Sequence, residues 1–88
     1  MHKPQDILIT ELKAASSKVK IGGHYRHYKN PDKTYKLLLI AFTESDDALC
    51  VIYEAQYGER LVFVRPVDSW LGKVEWEDKI VNRFTLIN

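Results

Sequence analysis

Residues 35–57 read YKLLLIAFTESDDALCVIYEAQY, and this stretch decides the fold. Two apolar runs, 35–43 and 49–57, have strand length and are rich in β-branched and aromatic residues. The polar TESDD between Phe42 and Ala48 suits a solvated hairpin turn. The second run alternates, with Leu49, Val51, Tyr53, Ala55 and Tyr57 on one face and Cys50, Ile52, Glu54 and Gln56 on the other. Residues 37–42 do not alternate, which predicts a strand buried on both faces at the centre of a barrel.

Outward from this hairpin the extended pattern continues. Gly58-Glu59 leads into RLVFVRP, residues 60–66, so three strands read as a meander that Pro66 ends for want of a ladder donor. Residues 68–72, DSWLG, predict one helical turn with an Asp68 cap and a Gly72 stop. Residues 73–76 alternate again, 77–79 form a turn, and 80–87 form one last strand. On the other side, GGHYRHYKN at residues 22–30 predicts the first strand. Tyr25, His27 and Lys29 share one of its faces, and His24, Arg26 and Tyr28 the other.

Before it, residues 4–17 read as a helix, with Pro4 in the first turn and Asp6 at the positive end of the dipole. Leu8, Leu12, Ala15 and Val19 form one stripe, widened by Ile7 and Ile9, and Gly22-Gly23 stop the segment. The chain therefore divides into a helix and linker, residues 1–21, and a mainly β domain, residues 22–88. Five or six short strands with one late helical turn predict a small SH3-like barrel, closed or partly open.

Composition narrows the function classes. Eighty-eight residues build one core without metal or disulfide staples, but not two. A net charge of +1 argues against a strongly basic nucleic-acid binder. Cys50 is alone, so no intramolecular disulfide forms, and a reducing, cytoplasmic setting is expected. No apolar run approaches the roughly 20 residues that span a bilayer, and the start lacks a signal-peptide core. Charge is segregated: Lys18, Lys20, Arg26, Lys29, Lys33 and Lys36 precede an acidic block of Glu44, Asp46, Asp47, Glu54 and Glu59. The two blocks can pair across strands or form a dipolar surface that orients an anionic partner.

Several spaced motifs follow one another: Gly23-His24-Tyr25-Arg26-His27-Tyr28-Lys29, then Tyr35, Val51-x-Tyr53-x-Ala55-x-Tyr57-Gly58, Val64-Arg65-Pro66 and Arg83-Phe84. In this order they resemble a bacterial family of small domains of unknown function marked by GxYRHYK, YG and VRP. The resemblance covers residue 23 to about residue 87 and implies a compact β-rich barrel in a bacterial cytoplasm. It brings no catalytic residue, cofactor or ligand. The N-terminal helix lies outside the resembling core, the loop at residues 29–34 is longer than usual, and Phe63 stands where tryptophan is more typical.

Chemistry-bearing residues are weighed on this frame. His24 and His27 are three apart on a strand and diverge, and only Cys50 and His2 remain as soft ligands, so no metal site is assigned. An imidazole near Glu44 or Asp46 would make an acid–base pair, and Cys50 with a histidine a nucleophile and base, but no spacing demands either. Cys50, inside an apolar strand, is expected to be a buried, inert thiol. With no nucleotide or hydrolase fingerprint, no catalytic residue and no cofactor are assigned.

Binding remains, through an aromatic–basic surface of Tyr25, Arg26, His27, Tyr28 and Arg65. The ligand classes expected are a peptide, a single-stranded nucleic acid or a small anion. Arg65 follows the apolar Val62-Phe63-Val64 and shares the inward phase of Leu61 and Phe63. Inward, it needs an acceptor, and Glu44, Glu54 and Asp68 are the candidates, either as a structural pair or beside a ligand. The alternatives are a small histidine–carboxylate enzyme, and a structural subunit whose N-terminal helix docks onto a partner or makes a homo-oligomer. No membrane association is expected.

Overall fold

The hairpin expected at residues 35–57 forms, and the rest of the sheet is built on it. In the computed structural model, which describes residues 2–88, the order is α1 (Gln5–Ser16), β1 (His24–His27), β2 (Thr34–Phe42), β3 (Leu49–Ala55) and β4 (Val62–Pro66). Then follow α2 (Val67–Trp70), β5 (Lys73–Trp76), β6 (Lys79–Asn82) and β7 (Phe84–Leu86). The domain is mainly β with an N-terminal helix. Antiparallel strands in the order β4-β3-β2-β1-β7 make a five-stranded sheet, and β5-β6 a separate hairpin. No helix among the described residues is long and apolar enough to cross a membrane.

Hydrogen bonds do not close the expected barrel: β4 and β7 are the two edges and share no ladder. The sheet curls instead. Phe84 and Tyr53 lie on strands about 14 Å apart in a flat sheet, yet their ring centroids are 5.9 Å apart. Inside the curl sit Tyr25, Leu37, Val51, Tyr53, Val67, Trp70 and Phe84. Trp70, 1% exposed, stacks on Phe84 at 3.8 Å and meets Tyr25 edge-on at 5.2 Å. The short helix that delivers it starts after Pro66, not at Asp68, and no side chain caps it. Proline's fixed φ suits that entry.

The central strand corrects a sequence expectation. Leu39 is exposed, so β2 is not buried on both faces. The register jumps between Leu37, opposite Tyr53, and Leu39, opposite Ile52. This bulge inserts one residue and resets the alternation, which is why the run looked uniformly apolar. On β3 the expected Val51, Tyr53 and Ala55 are buried, and Cys50 is buried on the opposite face as well.

Helix α1 lies on its own domain: Ala15 enters the core and Val19 packs against it. Leu8 and Leu12 are half-buried, whereas Ile7 and Ile9 do not widen the covered stripe but stand exposed. Gly22 takes φ +80°, and a Cβ on Gly23 would fall 2.9 Å from Leu86 Cδ1, so the pair turns the chain and lets β7 close on β1. Between β5 and β6 the loop is Glu77-Asp78 alone, both at positive φ, and Lys79 already pairs with Trp76.

TESDD is a turn, but not a fully solvated one. Asp47, at φ 57°, is buried; its carboxylate accepts the Lys3 N–H at 2.7 Å and lies 2.5 Å from His2 Nδ1. These bonds, that from Lys3 first, hold the Asp47 pKa below its usual value. The tether therefore stabilises above the ordinary carboxylate range and is lost as pH falls through the lower folded-state value. Lys3 amide protection, its exchange rate relative to an unstructured peptide at the same pH, is expected to fall over that acidic interval, and at neutral pH in Asp47→Ala. A protection factor indifferent to both changes would rule the tether out.

Candidate functional site

The strand expected over residues 80–87 is two strands, and Arg83 is the break between them. β6 pairs with β5 and β7 with β1, while Arg83 donates its N–H to the Gly72 carbonyl and its Nε to the Ser69 carbonyl, each at 3.0 Å. Arg65 reaches the same serine: its Nη1 donates to Ser69 Oγ at 2.9 Å. One residue of α2 thus organises two guanidinium groups from opposite edges of the curled sheet.

Arg65 stands opposite the fully buried Val51, which sets its inward direction. None of the expected acceptors pairs with it. Among the described residues the ion pairs are His2–Asp47 and Lys3–Glu11, so Glu44, Glu54 and Asp68 leave Arg65 without a carboxylate. Its Nε is buried and has no hydrogen-bond partner. The guanidinium lies 5.4 Å from the Phe84 ring centroid, and that ring face is its main compensation. The expected buried ion pair is overturned, because the curl brings β4 to Phe84 and Ser69 rather than to an acid.

His27 is the second predicted residue in this cluster. Its ring meets Phe84 edge-on at 5.2 Å, and its Nδ1 accepts the Lys29 N–H at 3.2 Å, leaving Nε2–H as a donor. Burial, then the charges of Arg65, Arg83 and Lys29, hold its pKa below 6.5. No carboxylate is among these influences. Nearby, the Tyr35 and Tyr57 hydroxyls are 2.7 Å apart, and Lys33 Nζ lies 5.1 Å from the Tyr57 ring centroid. Burial, then the bond to Tyr57, pushes the Tyr35 pKa up to about 12, so its hydroxyl keeps its proton.

The other predicted residues lie elsewhere. Tyr25 is core, its hydroxyl accepting the Lys20 N–H at 2.9 Å. Arg26 takes the opposite phase of β1 and, with Tyr28, lines a recess of about 240 Å³ beside Trp76, whose ring is 5.3 Å from that of Tyr28. The five residues expected on one surface therefore do not form one face: His27 and Arg65 meet at Phe84, Tyr28 packs its ring 4.5 Å from that of His27 while lining the recess with Arg26, and Tyr25 is buried. A recess of about 400 Å³ is lined by Lys18, Lys20, Tyr25, Trp70 and Phe84 among others, and holds none of the clustered cations.

Arg83, Ser69 and Phe84 were missed as partners. Arg83-Phe84 was visible as a motif, but a continuous last strand gave no reason to aim Arg83 at α2. Cys50 is buried, and burial, then Asp46, raises its thiol pKa, as an inert cysteine requires. No group of three or more His, Cys, Asp or Glu able to hold a metal ion occurs among the described residues. Of the charge blocks, Lys36 and Glu54 are cross-strand neighbours but make no ion pair.

Comparison with known proteins covers this scaffold. A crystal structure of a DUF1653 protein from Bordetella bronchiseptica is similar, with a TM-score of 0.69 and 25% identity over 80% of this chain and 90% of that one. No curated protein matches. Residues 23–86, which carry His27, Arg65, Ser69, Arg83 and Phe84 but not α1, match the family described as protein of unknown function, DUF1653. The chain belongs to the DUF1653 family.

Proposed function

We propose that the domain is a binding module that holds a small oxyanion, or an oxyanion-bearing ligand, at Arg65, His27 and Arg83. Of the three ligand classes expected from the sequence, the anion has the most support. The observation that carries it is Arg65: a half-buried guanidinium with a partnerless Nε, no carboxylate, and more cations around it. A planar fork of donors suits two oxygens of one group, and the neutral His27 Nε2–H adds a third direction. The reading treats the curled sheet as a partly open relative of SH3-like barrels and places the protein in a bacterial cytoplasm. The lone buried cysteine and the bacterial relative support that setting. The histidine–carboxylate alternative has less support, since the groups facing His27 are cations and the one close pair among the described residues, His2–Asp47, ties residues 2 and 3 to the turn at residues 43–47.

Sulfate, whose charge is constant near neutral pH, is the probe. Millimolar sulfate is expected to shift the His27 ring and Arg65 Nε resonances and to raise the His27 pKa, because an anion offsets Arg65 and Arg83. By linkage, its affinity then rises as pH falls toward the His27 pKa of the free protein. Resonances of residues 23–29 and 65 that stay still under sulfate and phosphate alike would end the proposal.

A further inference from the structure

Strand β4 is an edge of the five-stranded sheet, and it is unusually bare. Leu61, Val62, Phe63 and Val64 are 59%, 53%, 42% and 60% exposed, four apolar residues in a row with no charge among them. Soluble proteins ordinarily blunt such an edge with lysine, a bulge or a covering loop, because its free backbone groups recruit another strand.

The register says which groups are free. Ala55 donates its N–H to the Leu61 carbonyl at 2.9 Å, directly across from it. Tyr53 then faces Phe63, and Val51 faces Arg65. Leu61, Phe63 and Arg65 therefore turn their backbone groups toward β3, while Val62 and Val64 turn theirs outward. Pro66 shares the outward phase but has no N–H. The open edge thus offers two N–H and two C=O groups, those of Val62 and Val64.

We propose that β4 pairs antiparallel with β4 of a second copy of this chain, about a two-fold axis at Phe63. In that register Val62 lies opposite the partner's Val64, and Val64 opposite the partner's Val62. Each is a hydrogen-bonded pair, so four bonds use every free group. Phe63 meets its own copy in the pair where side chains approach closest, and Leu61 faces the partner's Arg65, so no like charges oppose. Moving the axis to Val64 sets Val62 against Pro66 and loses donors. Moving it to Val62 draws in Arg60, whose φ of 55° is not a strand conformation. The edge is complementary to itself in one register, as an isologous interface requires.

Sedimentation velocity of the full chain over a range of concentrations tests this. A monomer–dimer equilibrium is expected, and Val62→Lys/Val64→Lys should shift it to monomer while matching the native chain's melting temperature at concentrations where both are monomeric, since both side chains are exposed. In the unaltered chain, the Val62 and Val64 amides should exchange more slowly as concentration rises, with Phe63 unaffected; this measurement decides the matter if the double variant fails to fold. A chain that stays monomeric at millimolar concentration overturns the pairing, as does a dimer that survives the double substitution. A monomer whose Val62 and Val64 amides slow only when an extended apolar peptide is added also overturns it, by putting a foreign strand there.

Discussion

Trp70→Ala is expected to lower the unfolding free energy by about 3–5 kcal/mol, the range for deleting a buried large aromatic side chain. Small domains hold only about 5–15 kcal/mol in all, so the loss is a large share of the total and the urea midpoint should fall steeply. The reason is position. Trp70 is 1% exposed and touches Phe84, Tyr25 and Tyr53, which come from three different strands of the curl. Removing it opens a cavity where the sheet's edges converge, and the ring stack that holds β7 against α2 goes with it. Trp76→Ala is the control: its ring is exposed and leans chiefly on Tyr28, so a loss of about 1 kcal/mol or less is expected. Urea titrations followed by far-ultraviolet circular dichroism measure both. Similar midpoints for the two variants would show that the core is not centred on Trp70.

Arg65→Met is expected to weaken sulfate binding by at least about tenfold, the loss that a bidentate, charge-assisted contact of about 1.5–3 kcal/mol implies. Stability should stay within about 1 kcal/mol of the native chain. Losing the bond to Ser69 costs about 1 kcal/mol, and relieving a buried, unpartnered N–H returns a similar amount. Methionine keeps the apolar contact with Phe84. A purely structural role, with the Ser69 bond and the Phe84 contact pinning β4 to α2, predicts a larger loss of stability and unchanged sulfate binding. Chemical denaturation and sulfate titration of the same variant separate the two. Lost stability with retained sulfate binding would make Arg65 a structural residue and remove the proposed site.

Much of the site's raw material was readable from local pattern. The inward phase of Arg65 followed from its spacing to Leu61 and Phe63, and the two faces of β1 were assigned as the structure has them for Tyr25 and His27 against Arg26. Tyr28, just past β1, instead packs its ring beside His27, a contact that strand alternation does not encode. Asp47 shows the opposite case: its turn was evident from TESDD, but its burial depends on residues 2 and 3 arriving from 44 positions away.

By itself the sequence determined the β-rich class, the hairpins, a turn after Trp76, the Leu8, Leu12, Ala15 and Val19 stripe of the N-terminal helix and the family, because alternation, turn chemistry and spaced motifs are local properties of the chain. The tertiary structure alone decided that the sheet curls without closing, that β2 carries a bulge, that the last strand breaks at Arg83, and that Arg65 meets Ser69 and Phe84 instead of a carboxylate. Those outcomes depend on which distant backbone groups and rings meet when a twisted sheet folds over one tryptophan, and no periodicity in the chain encodes a meeting of that kind.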